Sequence, residues 1–221
     1  MKNVFKNGMR KAGIAVLAAL LMLSFCGCRS MIELALMDKE QRNQATQLDL
    51  KDLYSAAEGF HYPGFSWGED FAAFQRATDF SVTDMEGYTD TDTVYTASDL
   101  HHMILDRRND AAQVGCRDKD KVSFVSMSFD RGEDDAEVFA AFSAQLATEL
   151  KALYGEPDQV LDHTEDVNGA QYIYKTMIWQ KTAGGKITEL QYGTATMPGT
   201  DVPNFVSIGV DWLPEETDET K

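Results

Sequence analysis

The stretch DDAEVFAAFSAQLATELKALY, residues 134–154, decides how the rest of the chain is read. Val138, Phe139, Phe142, Leu146, Leu150, Leu153 and Tyr154 recur in it at three- and four-residue steps, so they share one face of a helix. Asp134, with Glu137 three residues on, offers an acidic capping box at its start, and Gly155 and Pro157 stop it. Seven such side chains, at about 1.5–3 kcal/mol each, contribute on the order of 10–20 kcal/mol when buried, as an upper bound. A face of that size needs a sheet to cover it.

Working outward, residues 66–80 predict a second packing helix with Phe71, Phe74 and Phe80 apolar. The two helices are approached alike. Phe65 to Asp70 and Phe129 to Asp134 both read F-x-x-G-E-D, and each is followed by F-A-A-F, at Phe71–Phe74 and Phe139–Phe142. Four extra residues in the second copy amount to about one helical turn, so the apolar face survives them. After the first helix, residues 94–105, 111–116 and 121–129 read as strands; after the second, residues 172–179, 187–192 and 206–212 do. Val206, Ile208, Val210 and Trp212 alternate strictly with Ser207, Gly209 and Asp211. The expected fold is therefore α+β: a tandem duplicated unit of one helix followed by about three antiparallel strands, the helices packed on the sheet. Its boundaries are 51–214, with repeats at about 64–129 and 129–213, a tether at 28–50 and an acidic tail at 215–221.

The N-terminus carries Lys2, Lys6, Arg10 and Lys11 and no acid, then an apolar run over residues 12–25. That run is short for a membrane span, which needs about 20 residues, and suits the h-region of a signal peptide over residues 1–27. Cys26 and Cys28 follow. The segment resembles the signals of bacterial lipoproteins, whose lipobox ends in a small residue and the cysteine that is lipidated. Gly27 before Cys28 fits that requirement, whereas Phe25 before Cys26 does not. The resemblance implies a lipid anchor on Cys28 and a place at the cell membrane, facing outside the cytoplasm. The alternative is an ordinary cleaved signal or an uncleaved anchor, although no A-x-A site lies nearby.

Removal of residues 1–27 takes away four of the 20 basic residues and none of the 36 acidic ones, leaving a net charge of −20. So negative a surface repels nucleic acid, which is excluded as a partner. Cys28 and Cys116 remain, and a lipidated Cys28 leaves no intramolecular disulfide. Cys116, after Val114 and Gly115, reads as a buried small hydrophobe. The tandem helix-then-meander order, with a glycine before each helix and a lipoprotein signal, looks like beta-lactamase inhibitor proteins and, one unit at a time, like small lipoproteins of outer-membrane assembly. It covers roughly residues 64–212 and implies a binding or scaffolding module whose partner is another envelope or extracellular protein. The two cysteine pairs expected of an inhibitor are missing.

Several motifs invite a chemical reading. Gly64-Phe65-Ser66-Trp67-Gly68 is formally G-x-S-x-G, the pattern of a serine nucleophile, and a small serine hydrolase using Ser66 is the competing function. Pro63 argues against the buried strand a nucleophile elbow needs, and Glu69 makes Ser66 a helix cap instead. The position matching Ser66 in the second copy is Asp130, which can cap but cannot serve as that nucleophile. His101 and His102 are adjacent in a strand, so they point to opposite faces and do not chelate one metal. His163 lies among Asp162, Glu165 and Asp166 in what reads as a solvated loop. Asp84, Glu86, Asp90 and Asp92 lack the spacing and glycine of a calcium loop. No catalytic residue, cofactor or metal is therefore assigned. Tyr172 and Tyr174, which oppose Ile173 and Met177 across the pleat, are the candidate partner surface.

Overall fold

The computed structural model describes residues 45–78, 82–87, 92–97, 100–118, 120–167 and 169–213. In chain order it contains β1 (Thr46–Gln47), a 3-10 turn (Leu50–Leu53), β2 (Tyr54–Ser55), β3 (Gly59–Phe60), α1 (Phe71–Thr78), β4 (Val82–Gly87) and β5 (Thr93–Ala97). Then come β6 (His102–Ile104), β7 (Arg107–Arg108), β8 (Ala111–Arg117), β9 (Lys121–Asp130) and α2 (Ala136–Tyr154). The chain closes with β10 (Gln159–Val167), β11 (Ala170–Ala183), β12 (Lys186–Thr196) and β13 (Pro203–Leu213). The signal peptide, Cys28, most of the tether and the acidic tail lie outside the described residues. Among the described residues no helix is long and apolar enough to cross a membrane.

The α+β reading of tandem helix-plus-three-strand units does not hold. The protein is mostly β, and its frame is one antiparallel sheet of eight strands in the order β10-β11-β12-β13-β9-β8-β5-β4. The C-terminal strand β13 pairs with β9, Ile208 opposite Met127 and Gly209 opposite Ser126, so the two stretches of chain share a single sheet. Two strands of this sheet escaped the sequence reading, β4 and β10, and both are its edges among the described residues. Edge strands carry charge because one side faces water, and such charge is what blunts edge-to-edge pairing. Asp84 and Glu86 in β4, and Asp162, Glu165 and Asp166 in β10, made these segments look like loops.

Other differences are local. Residues 94–105 are not one strand: β5 ends at Ala97, and β6 joins β1 and β7 in a small separate sheet. The β6–β7 hairpin turns on Leu105 and Asp106, both at positive φ, as a tight two-residue turn requires. Parallel pairing of β1 with β6, and burial of Leu48 and Leu50, bring residues 46–50 into the fold rather than the tether. Strands β11, β12 and β13 lie where alternation placed them, and Gly184 and Gly185, at φ 58° and 79°, turn the β11–β12 hairpin.

The helices pack on one sheet face. From α2, Phe139, Phe142, Leu146 and Leu150 are buried with Met127, Phe129, Leu190, Tyr192, Val206 and Ile208 in one core. Val138 is 62 % exposed: it follows Phe139 backwards by about 100° of helical arc, out of the stripe. Leu153, in the last turn, is 46 % exposed. Ser143 occupies the stripe instead, because Tyr192 satisfies it: the two hydroxyls lie 2.6 Å apart, and the tyrosine also donates to the Ser143 carbonyl at 2.9 Å. At the other end of the helix Gly155 has φ 86° and donates its N–H to the Lys151 carbonyl. The buried Trp179 indole donates to the Gly155 carbonyl at 2.8 Å.

The cap of α2 is Asp135, not Asp134. Its side chain accepts from the N–H groups of Glu137 (2.8 Å) and Val138 (3.2 Å), two donors that the helix leaves without partners. Asp134 instead pairs with Arg107, whose guanidinium lies 4.6 Å from the Phe139 ring centre. Asp135→Ala is expected to cost about 1 kcal/mol. Ser66→Ala is expected to be nearly neutral, for reasons that follow, and urea melts of both variants beside the parent check the pair.

Candidate functional site

Ser66 neither caps a helix nor sits in an elbow. Helix α1 starts at Phe71, and the chain between is held by strand-like backbone pairing: Gly68 donates to the Val122 carbonyl, Val122 to that of Glu69, and Phe71 to that of Asp120. Lys121 and Asp70 form an ion pair across this pairing. The Ser66 hydroxyl is exposed and donates to Glu58 Oε1 at 3.4 Å. A nucleophile elbow puts its serine at the mouth of the following helix, beside a histidine; here the partner is a carboxylate and the helix begins five residues later. Asp130 likewise serves a turn, accepting from the Gly132 N–H at 2.8 Å.

The other chemical side chains are absorbed by the fold. His101 and His102 are both buried. The His102 ring bonds the Tyr62 hydroxyl through Nε2 (2.5 Å), and its Nδ1 lies 3.3 Å from the Thr46 carbonyl oxygen. Burial lowers the His102 pKa and raises that of Tyr62, so both are neutral at pH 7. Asn109 completes this knot, accepting from the His102 N–H at 2.6 Å and donating to the carbonyls of Leu100 and Ala111. Cys116 is 2 % exposed, and burial pushes its thiol up to about 12. Asp84 and Glu86 fall in β4, Asp92 precedes β5, and Asp90 lies outside the described residues. Among the described residues no group of three or more His, Cys, Asp or Glu is placed to hold a metal ion.

The tyrosine row divides. Tyr174 is buried, stacked on the His163 ring at 4.9 Å and clustered with Ala195, Phe205 and Tyr172. Tyr172 is only half-buried. What the β10–β11 margin does expose is on the helix-bearing side of the sheet: Val160 at 48 % and Ile173 at 43 %. Register places Val160, Asp162 and Thr164 on that side, opposite Met177, Lys175 and Ile173, and Leu161, His163 and Glu165 on the other. This margin is the outermost part of the sheet on its C-terminal side.

One constellation was not foreseen. On the sheet face away from the helices, Glu189 of β12 stands directly opposite Asp211 of β13, and both are buried. Glu189 accepts from the amides of Gln180 (2.5 Å) and Gln191 (3.0 Å). Asp211 Oδ1 lies 3.7 Å from Arg117 Nη2, a guanidinium that also donates to the Trp212 carbonyl. Burial pushes the Asp211 carboxyl up to about 7; Arg117 opposes that shift and Glu189 adds to it. Burial raises Glu189 too, against the two amides and Arg117. The two amides favour the charged form of Glu189, while burial favours the protonated form of both carboxyls. Glu189 is 0 % exposed and Asp211 3 %, so the pair lies out of contact with solvent. Alternation puts Asp211 on the side opposite Val206, Ile208 and Val210, and no sequence signal marks that side as buried.

No protein-family model matches the chain, and no curated protein matches it either.

Proposed function

We propose that the chain is a cell-envelope lipoprotein, held at a membrane through lipid on Cys28 and facing outside the cytoplasm, whose folded part binds or scaffolds another envelope or extracellular protein without catalysing a reaction. The observation that carries the binding half is the β10–β11 margin, which ends the sheet on exposed Val160 and Ile173 among carboxylates. Ser66, His102 and Cys116, by contrast, are engaged or buried in ways that suit structure. The anchoring half rests on the lipobox-like Gly27-Cys28 after the apolar run.

Two or more acyl chains, at about 0.8 kcal/mol per buried CH₂, give stable membrane association where one chain is marginal. In a bacterial host fed an alkyne-bearing fatty acid, the parent chain is expected to be labelled and membrane-bound. Cys28→Ala is expected to lose the label and to accumulate as precursor or in the soluble fraction. An unmodified mature N-terminus at another residue, found by mass spectrometry, contradicts the anchor.

A further inference from the structure

We propose that the outer edge of β10 takes up an extended, Lys- or Arg-bearing segment of a partner protein as an added strand. This deepens the binding-module reading and rests on it. Strand β10 is nine residues long and terminal in the eight-stranded sheet. Every second residue of such a strand directs its N–H and C=O away from its one neighbour. Among the described residues, no backbone hydrogen bond other than those of the β10–β11 ladder reaches Gln159–Val167. An open edge of that length spans about 30 Å, room for a segment of eight or nine residues.

The occupant follows from charge. Asp162, Glu165 and Asp166 lie in β10 and Asp158 just before it, with no Lys or Arg in the strand. Two of these acids accept backbone N–H bonds, Asp158 from Gln180 of β11 and Asp166 from Gly169 in the β10–β11 turn. Asp162 faces Lys175 across the ladder, and Glu165 lies 3.9 Å from His163. A second copy of this chain would bring two acidic edges together, which like-charge repulsion opposes. One charge is enough to discourage edge pairing; a run of one sign with two exposed apolar residues beside it selects a partner instead. Val160, Asp162 and Ile173 share the helix-bearing side and Glu165 lies on the other, so that partner alternates base and apolar residue, its apolar side over Val160 and its bases toward Glu165, with Asp162 adding negative charge along the edge. Main-chain hydrogen bonds bind it and the side chains choose it.

The test uses the lipid-bearing full chain in detergent micelles. Its probes are a capped eight-residue Lys-Val repeat, the Glu-Val repeat, and the Lys-Val repeat N-methylated at alternate residues. The Lys-Val peptide is expected to bind at least about tenfold more tightly than either control, and less tightly as salt rises. On binding, amide exchange should slow within residues 159–167. The double variant Asp162→Lys/Glu165→Lys should reverse the preference toward Glu-Val, with exchange in β9 and β13 confirming its fold. Equal binding of the N-methylated peptide, protection elsewhere, or no binding at all overturns strand addition. A photo-crosslinker at Val160 of the full chain in host membranes separates this from the parent reading. Adducts there with a failed peptide arm overturn strand addition and leave the binding module standing; silence in both arms overturns both.

Discussion

Trp179→Ala is expected to destabilise the protein by about 3–5 kcal/mol, the range for emptying a large aromatic site in a core. Trp179 is fully buried, and its ring belongs to the core that joins α2 to the sheet. The substitution also strands the Gly155 carbonyl, which accepts the indole N–H at the point where α2 ends. Trp179→Phe keeps most of the volume and loses only that bond, so it should cost about 1–2 kcal/mol. Urea midpoints of the two variants separate packing from hydrogen bonding. A Trp179→Ala protein within 1 kcal/mol of the parent (a fraction of the usual cost) would mean that the helix end is not seated there.

The second large effect is a pH dependence with an unusual sign. The folded Asp211 carboxyl is raised to about 7, whereas an unfolded aspartate titrates near 3.8. Between those values the folded protein holds the extra proton, so stability falls as pH rises through the window and stays low above it. Three units correspond to on the order of 4 kcal/mol at pH 8. Burial raises Glu189 in the same direction. Asp211→Asn keeps the shape and removes the buried charge. Its urea midpoint should exceed the parent's at pH 8, approach it at pH 4, and vary far less between them. Because the general repulsion of an acidic chain affects both proteins, the difference between their curves isolates Asp211. Parallel curves would contradict the buried pair.

What the sequence reveals follows from what periodicity can encode. Helix α2 and strands β11 to β13 are legible because one face of each is apolar and the period names the element. Strand β4 and strand β10 are not, since an edge carries the charges of a loop. Helix α1 starts later than the sequence suggests, because residues 68–71 pair with residues 120–122 at the start of β9 instead of coiling. Ser66 looked like a cap only on the assumption that the helix began beside it. Long-range contacts leave the least trace. A Cβ on Gly115 would lie 1.8 Å from the Phe124 ring of the next strand, yet nothing near Gly115 in sequence announces that ring as a close neighbour. Glu189 and Asp211 lie 22 positions apart and meet only through the β12–β13 register. Tyr172 and Tyr174 lie in the β10–β11 hairpin, but Tyr174 is buried, and the acidic strand beside them was taken for a loop.

Residue-resolved amide hydrogen exchange of the free full chain tests the account at its centre, the claim that β10 is the open edge of one continuous sheet. Amides of β9 and β13, which join the two stretches of chain, should exchange slowest. Along 159–167 slow and fast residues should alternate, as the amides bonded to β11 are protected and those directed outward are not. Uniform protection across 159–167, or fast exchange in β13, would contradict it.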